Sequence, residues 1–271
     1  MTGPELLGST WNWNPWVISG CFGACLYYGR LLGRRFHPKS LFFLGGVAVI
    51  FLALASPIAF LAQGYMFSAH MLQHLLLVML APPLLLLGLP STGEHGPAVG
   101  RDLNWFRNPL LAWFSGLGAM WFWHIPALCD AAVPRGWIHA LQTLSLLALG
   151  AIFWRPIIGP QTSMRLSPLI GILYLFGACF ACSLLGIWIS FAPLGVCPAF
   201  LHPPADPRGC GRMIRDVWNL TPAADQQIGG LLMWVPACLV YLGAILALLG
   251  RYYRSPKINA TGSATHLQQR G

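Results

Sequence analysis

Polar and apolar positions in this 271-residue chain fall into long alternating blocks rather than short periodic ones. Seven apolar segments can be drawn, at about 15–33, 41–62, 66–90, 110–127, 136–154, 168–191 and 226–250. Each approaches the ~20 residues a helix needs to cross a bilayer. Asn108-Pro109, Ser167-Pro168 and Thr221-Pro222 each set a capping side chain before a proline at the first helical position. No internal repeat is visible. The pattern predicts an all-α membrane protein: a seven-transmembrane-helix bundle over 1–255 as one domain, a long outer loop at 192–225 and a disordered tail at 256–271.

The third segment breaks the apolar pattern. Its opening turns carry Met66, His70, Gln73 and His74. On a helix His70 and His74 stand one turn apart on one face, with Met66 a further turn out. Imidazoles inside a span carry a desolvation penalty and mark a functional site more often than not. Further along, Pro82-Pro83 cannot donate, so the carbonyls of Val78 and Met79 lose their helical partners. In lipid those carbonyls need another donor, which predicts that other helices enclose this one.

Composition agrees. The chain is 56% hydrophobic and 8% charged, against roughly 25% charged in soluble domains, with mean hydropathy +0.62. The net charge of +9 comes in short clusters beside spans, a topology signal rather than a nucleic-acid surface. Placing the N-terminus outside leaves twelve of the 16 Lys and Arg in cytoplasmic segments and four (Arg135, Arg208, Arg212, Arg215) outside. That bias predicts N-out, C-in. The first fifteen residues hold Glu5 and no Lys or Arg, so a retained first helix is expected rather than a cleaved leader.

With this orientation, polar groups from four segments reach similar depth on the outer side. They are Met66, His70 and His74; His124 after the WFW run; His139 with Gln142 and Thr143; and Asp225, Gln226 and Gln227 ahead of Gly229 and Gly230. Imidazole suits copper and zinc, and the thioethers of Met66 and Met71 favour Cu(I). HMLQH lacks the glutamate of a zinc-protease helix. The same pair can also simply hydrogen-bond helices together. His124 can snorkel to water, His139 can ligate or be held by Gln142, and Asp225 can complement its own helix dipole or support the histidines. The glycines permit close helix approach.

The eight cysteines form no zinc-type framework. Cys21 with Cys25, and Cys179 with Cys182, lie one turn apart in spans and read first as packing residues, with Cu(I) passage the alternative. Cys197 and Cys210 share the outer loop, where a disulfide between them is chemically reasonable though nothing in the sequence shows that they approach.

HMLQHLLLVMLAPPLLLLGLP, WHIP at 123–126, FWRPIIGP at 153–160 and DQQIGGLLMWVP at 225–236 resemble the seven-helix CtaG-type cytochrome c oxidase assembly family, the polytopic type associated with caa-type oxidases. The resemblance covers segments 2 to 7 and carries over to His70, His74, His124, His139, Asp225 and Gln226. It departs at Thr143, where relatives often have a second histidine, and at Arg155, where they have tryptophan. It implies a bacterial inner-membrane, multi-pass protein that assists maturation of a haem-copper oxidase. The partners implied are oxidase subunits and a periplasmic copper chaperone.

The expectation is therefore a non-enzymatic assembly factor holding Cu(I) transiently in the outer leaflet. His70, His74 and His139 would be ligands, Met66 and His124 further candidates, and Asp225, Gln226 and Gln142 supports. A haem-binding redox protein using His74, His124 and His139 is a rival, as is a copper transporter using the membrane cysteines. A diiron hydroxylase ranks last, because the histidines are too few.

Overall fold

The computed structural model describes residues 8–32, 37–90, 108–203, 206 and 209–254, and every regular element among them is helical. The main helix in each apolar segment is α1 (Pro15–Leu32), α2 (Ser40–Ala55), α3 (Phe67–Gly88), α4 (Pro109–Trp123), α5 (Gly136–Ile158), α6 (Pro168–Phe191) and α7 (Pro222–Tyr253). Of these, α3, α5, α6 and α7 are long and apolar enough to cross a membrane, and α2 is a shorter apolar helix. The chain is a helical membrane protein. The tail at 256–271 and the connection at 91–107 lie outside the described residues.

Two segments end sooner than the apolar pattern predicts. The one drawn over 41–62 breaks at Ser56, whose extended backbone (ψ 175°) precedes Pro57 and whose hydroxyl accepts from Ile58 N at 3.2 Å, starting a short helix Pro57–Leu61. The one drawn to 127 stops at Trp123, and Pro126 opens a second short helix, Pro126–Ala132. In both, the residue ahead of proline is pushed out of helical backbone. By contrast α7 begins ahead of the apolar segment drawn from 226, at the Thr221-Pro222 pair the sequence marks, where Thr221 accepts from Ala224 N at 3.2 Å and Pro222 sits in the first turn.

In α3 the prolines act as their chemistry requires. Residues Leu76–Leu80 widen into a π turn, and Ala81 N bonds to Leu76 O, one residue further back than in an α-helix. The orphaned carbonyl of Val78 is satisfied from α5, where Trp154 Nε1 donates to it at 3.1 Å. Gly150 makes this approach feasible, since a Cβ there would lie 3.3 Å from Val78 O and Pro82 Cγ. So the donor that the prolines require comes from a neighbouring helix, although α3 is only partly enclosed: Leu80 and Leu87 remain exposed.

The other seams also rest on small residues, the usual basis of helix association in lipid. A Cβ on Gly186 of α6 would meet Gly230 O of α7 at 2.8 Å, and Ser190 Oγ bonds back to Gly186 O at 2.9 Å. On the far side, α1 leans on α2 through Tyr28, stacked on Phe43 with centroids 4.0 Å apart and donating to Gly88 O at 2.7 Å. The buried core of α3 to α7 centres on Met79, Leu146, Phe153, Trp154, Leu175, Leu185 and Tyr241.

Candidate functional site

The start of α3 is fixed from another helix. Its first amides have no intrahelical acceptor, and Asp225 of α7 supplies one. Its carboxylate accepts from Phe67 N at 2.8 Å, Ser68 N at 3.0 Å and Ser68 Oγ at 2.6 Å. Asp225 therefore caps α3 rather than its own helix, and it touches no imidazole through these bonds. The capped turn carries His70, and the next carries His74. Both are almost wholly buried, at 0% and 2% exposure.

Four imidazoles from three helices gather here. The His70 and His74 centroids lie 4.3 Å apart, His70 is 6.1 Å from His139 of α5, and His74 is 5.4 Å from His124 at the end of α4. The order is His139–His70–His74–His124, a chain of rings rather than a ring of ligands. Among the described residues no three His, Cys, Asp or Glu side chains are drawn close enough to hold a metal ion as they stand.

Hydrogen bonds fix two of the tautomers. His124 Nδ1 lies 2.6 Å from Met120 O, which can only accept, so Nδ1 carries the proton and Nε2 the lone pair. That lone pair points at Met71 Sδ, 3.2 Å away. Gln73 donates through Nε2 to Ala53 O at 2.8 Å, so its oxygen is the atom 3.1 Å from His139 Nε2. His139 must then donate from Nε2, and its Nδ1 keeps the lone pair.

His70 and His74 are different. All four of their ring nitrogens are buried without a hydrogen-bond partner, as are both polar atoms of Gln142. Gln142 adjoins His74 and the Ala62 carbonyl adjoins His70, but neither completes a bond. Buried polar groups are nearly always paired, and each exception requires an explanation.

The remaining expected residues lie around this cluster in other roles. Met66 precedes α3 in extended backbone and packs with Leu61, Tyr65 and Ile214; the thioether that reaches an imidazole is that of Met71. His139 is held by Gln73 and not by Gln142, because Gln142 faces His74. Thr143 bonds to its own helix at His139 O, 2.7 Å away. Gln226 closes the end of α6: Nε2 donates to Ile189 O, Ala192 O and Pro193 O, while Oε1 accepts from Gly195 N and Val196 N.

That loop also corrects the disulfide expectation. Cys197 pairs with Cys129 of the short helix after His124, not with Cys210. Cys210 is buried elsewhere, among Leu61, Tyr65 and Ile214. The loop pinned by Gln226 and the disulfide carries Phe200, whose ring centroid is 5.5 Å from that of His70 and 5.5 Å from that of Phe67. An aromatic side chain thus packs against His70 at one end of the α3 pair. Sequence reasoning missed Phe200, Gln73 as the holder of His139, and Cys129; only Gln73, inside the HMLQH stretch, carried a local signal.

The model of the cytochrome c oxidase caa3 assembly factor family (Caa3_CtaG) matches residues 26–255. Similar curated proteins include the uncharacterized protein Mb0105 of Mycobacterium bovis, 27% identical over 221 residues, covering 74% of this chain and 32% of that protein. The uncharacterized protein ML1998 of Mycobacterium leprae is 26% identical over 210 residues, covering 70% and 30%. The chain thus spans about a third of the length of these relatives. No solved structure matches.

Proposed function

Because the chain belongs to the cytochrome c oxidase caa3 assembly factor family, we propose that it assists copper-centre maturation of the oxidase by holding Cu(I) transiently. It does so as an assembly factor, not as a catalyst. The observation that carries this is the set of four unpartnered ring nitrogens on His70 and His74, beside the His124 lone pair and the Met71 sulfur. Buried without partners, these nitrogens cost free energy. Each neutral ring has one lone pair and one N–H, so a soft cation that accepts two or three nitrogen and sulfur donors would satisfy one nitrogen of each ring.

In this reading two or three of His70, His74, His124 and Met71 hold the ion at a time, and His139 offers its Nδ1 as an exchange position. Asp225 sets the first turn of α3, Gln73 orients His139, and Phe200 excludes water. An open set of neutral donors releases an ion more readily than a closed four-ligand cage. The bundle sits in the bacterial inner membrane with seven spans, N-terminus outside and C-terminus cytoplasmic. The buried imidazoles then lie toward the periplasmic end of the bundle, the side from which oxidase subunits and a copper chaperone would approach.

Anaerobic metal analysis with an optical spectrum of the detergent-purified chain tests this. Copper without a Soret band is expected. A Soret band would establish the haem alternative instead, and a preparation that takes neither copper nor haem would contradict both.

A further inference from the structure

A second group of soft ligands lies away from the imidazoles. Cys179 is the twelfth of 24 residues in α6, and Cys238 the seventeenth of 32 in α7, so both sit about halfway along their helices. Their sulfurs are 3.0 Å apart across the α6–α7 seam. One α6 residue completes the arrangement. Ser183 Oγ donates to Cys179 O at 2.8 Å and lies 3.3 Å from Cys238 Sγ.

The protons can be assigned. Ser183 has one hydrogen, and the carbonyl of Cys179 takes it. Cys238 must therefore donate to Ser183, which leaves its sulfur to accept from the Cys179 thiol. Each thiol is satisfied, and the two sulfurs face each other with a single proton between them. A third thiol, Cys182, points elsewhere along the same seam, with its sulfur 3.6 Å from Tyr241 Oη.

We infer that Cys179 and Cys238 form a second metal site, for a soft monovalent cation of the Cu(I) class, independent of the imidazole cluster. The ion takes the place of the proton between the sulfurs. Cys179 loses its proton to solvent and binds as thiolate, while Cys238 keeps its own and binds as thiol. One positive ion enters and one proton leaves, so the complex is neutral and no oxidant is required. A neutral complex suits a site in the middle of a membrane, where net charge is costly. Thiolate and thiol are soft ligands that select Cu(I) over harder ions. Insertion of the cation needs the sulfurs to move apart, and both side chains are only half-buried.

The test is anaerobic titration of the detergent-purified full chain with Cu(I) against a chromophoric Cu(I) chelator. Cys179→Ser with Cys238→Ser is expected to bind one equivalent fewer than the unmodified chain, whereas Cys182→Ser binds the same number. His70→Ala with His74→Ala leaves the thiol-bound equivalent in place, so loss of either site is read separately. Labelling of the unmodified chain with N-ethylmaleimide needs no substitution. Cu(I) is expected to protect Cys179 and Cys238, as read by mass spectrometry of the peptides. Equal stoichiometry with and without the two cysteines would overturn the site. So would labelling that Cu(I) does not change, or recovery of the pair as a disulfide that takes no Cu(I) after reduction.

Discussion

Asp225 on α7 and Ser68 on α3 are 157 residues apart in the chain, yet the carboxylate accepts from both the amide and the hydroxyl of Ser68, at 3.0 and 2.6 Å. This bond and that from Phe67 N set where α3 begins, and hence the depth and direction of His70 and His74. Asp225→Ala leaves two buried amides without acceptors. The expected cost is roughly 2–4 kcal/mol, from the loss of charge-assisted bonds and of a helix cap. Asp225→Asn should cost less, since it keeps an acceptor oxygen. Thermal or denaturant unfolding in detergent checks the order: Asp225→Ala below Asp225→Asn below the unmodified chain.

The indole of Trp154 is the donor that the prolines of α3 require. Trp154→Phe keeps an aromatic ring against Tyr241 but leaves the Val78 carbonyl unpaired. A loss of about 1–3 kcal/mol is expected. Gly150→Ala tests the same contact from the other side, because its Cβ would press on Val78 and Pro82. Both variants should lower the unfolding midpoint. An unchanged midpoint in Trp154→Phe would show that the carbonyl has another partner.

Gly229 gives Met71 its room. A Cβ at 229 would come within 3.1 Å of Met71 Cγ and closer still to the Phe67 ring. Gly229→Ala is expected to displace the thioether from His124 and weaken Cu(I) binding several-fold, while costing about 1–3 kcal/mol of stability through overpacking. Chelator competition, compared with the effect of Met71→Leu, measures the first part.

The loop over the imidazoles is closed by the Cys129–Cys197 disulfide. Non-reducing proteolysis and mass spectrometry should recover the two peptides linked. Cys197→Ser is expected to abolish the link and to speed Cu(I) exchange, since Phe200 loses one of its two anchors. Cys210→Ser should leave the link intact. A Cys197–Cys210 peptide in the unmodified chain would contradict this arrangement.

What could be read from the sequence was what the local chain dictates. Proline chemistry alone implied an outside donor for Val78, and the histidine spacing in HMLQH placed His70 and His74 on one face. The three proline pairs marked the starts of α4, α6 and α7, and Asn108 and Thr221 cap with their side chains whereas Ser167 does not. The depth argument brought His124, His139 and Asp225 to one end of the bundle, where the structure also has them. Roles that depend on which side chain meets which across a seam were not legible. Asp225 reaches the start of α3 rather than a histidine, and Gln73 rather than Gln142 holds His139. Cys197 finds Cys129, and Cys179 finds Cys238, a residue with no sequence signal of its own. Such choices follow from helix rotation, which an all-round apolar span does not encode.

The proposed function requires imidazoles from α3 and the end of α4 to share one soft cation. The direct measurement is anaerobic Cu(I) stoichiometry of the purified chain in the Cys179→Ser, Cys238→Ser background, with and without His70→Ala and His74→Ala. One equivalent is expected with the histidines present and none without them. The same stoichiometry in both would contradict the claim.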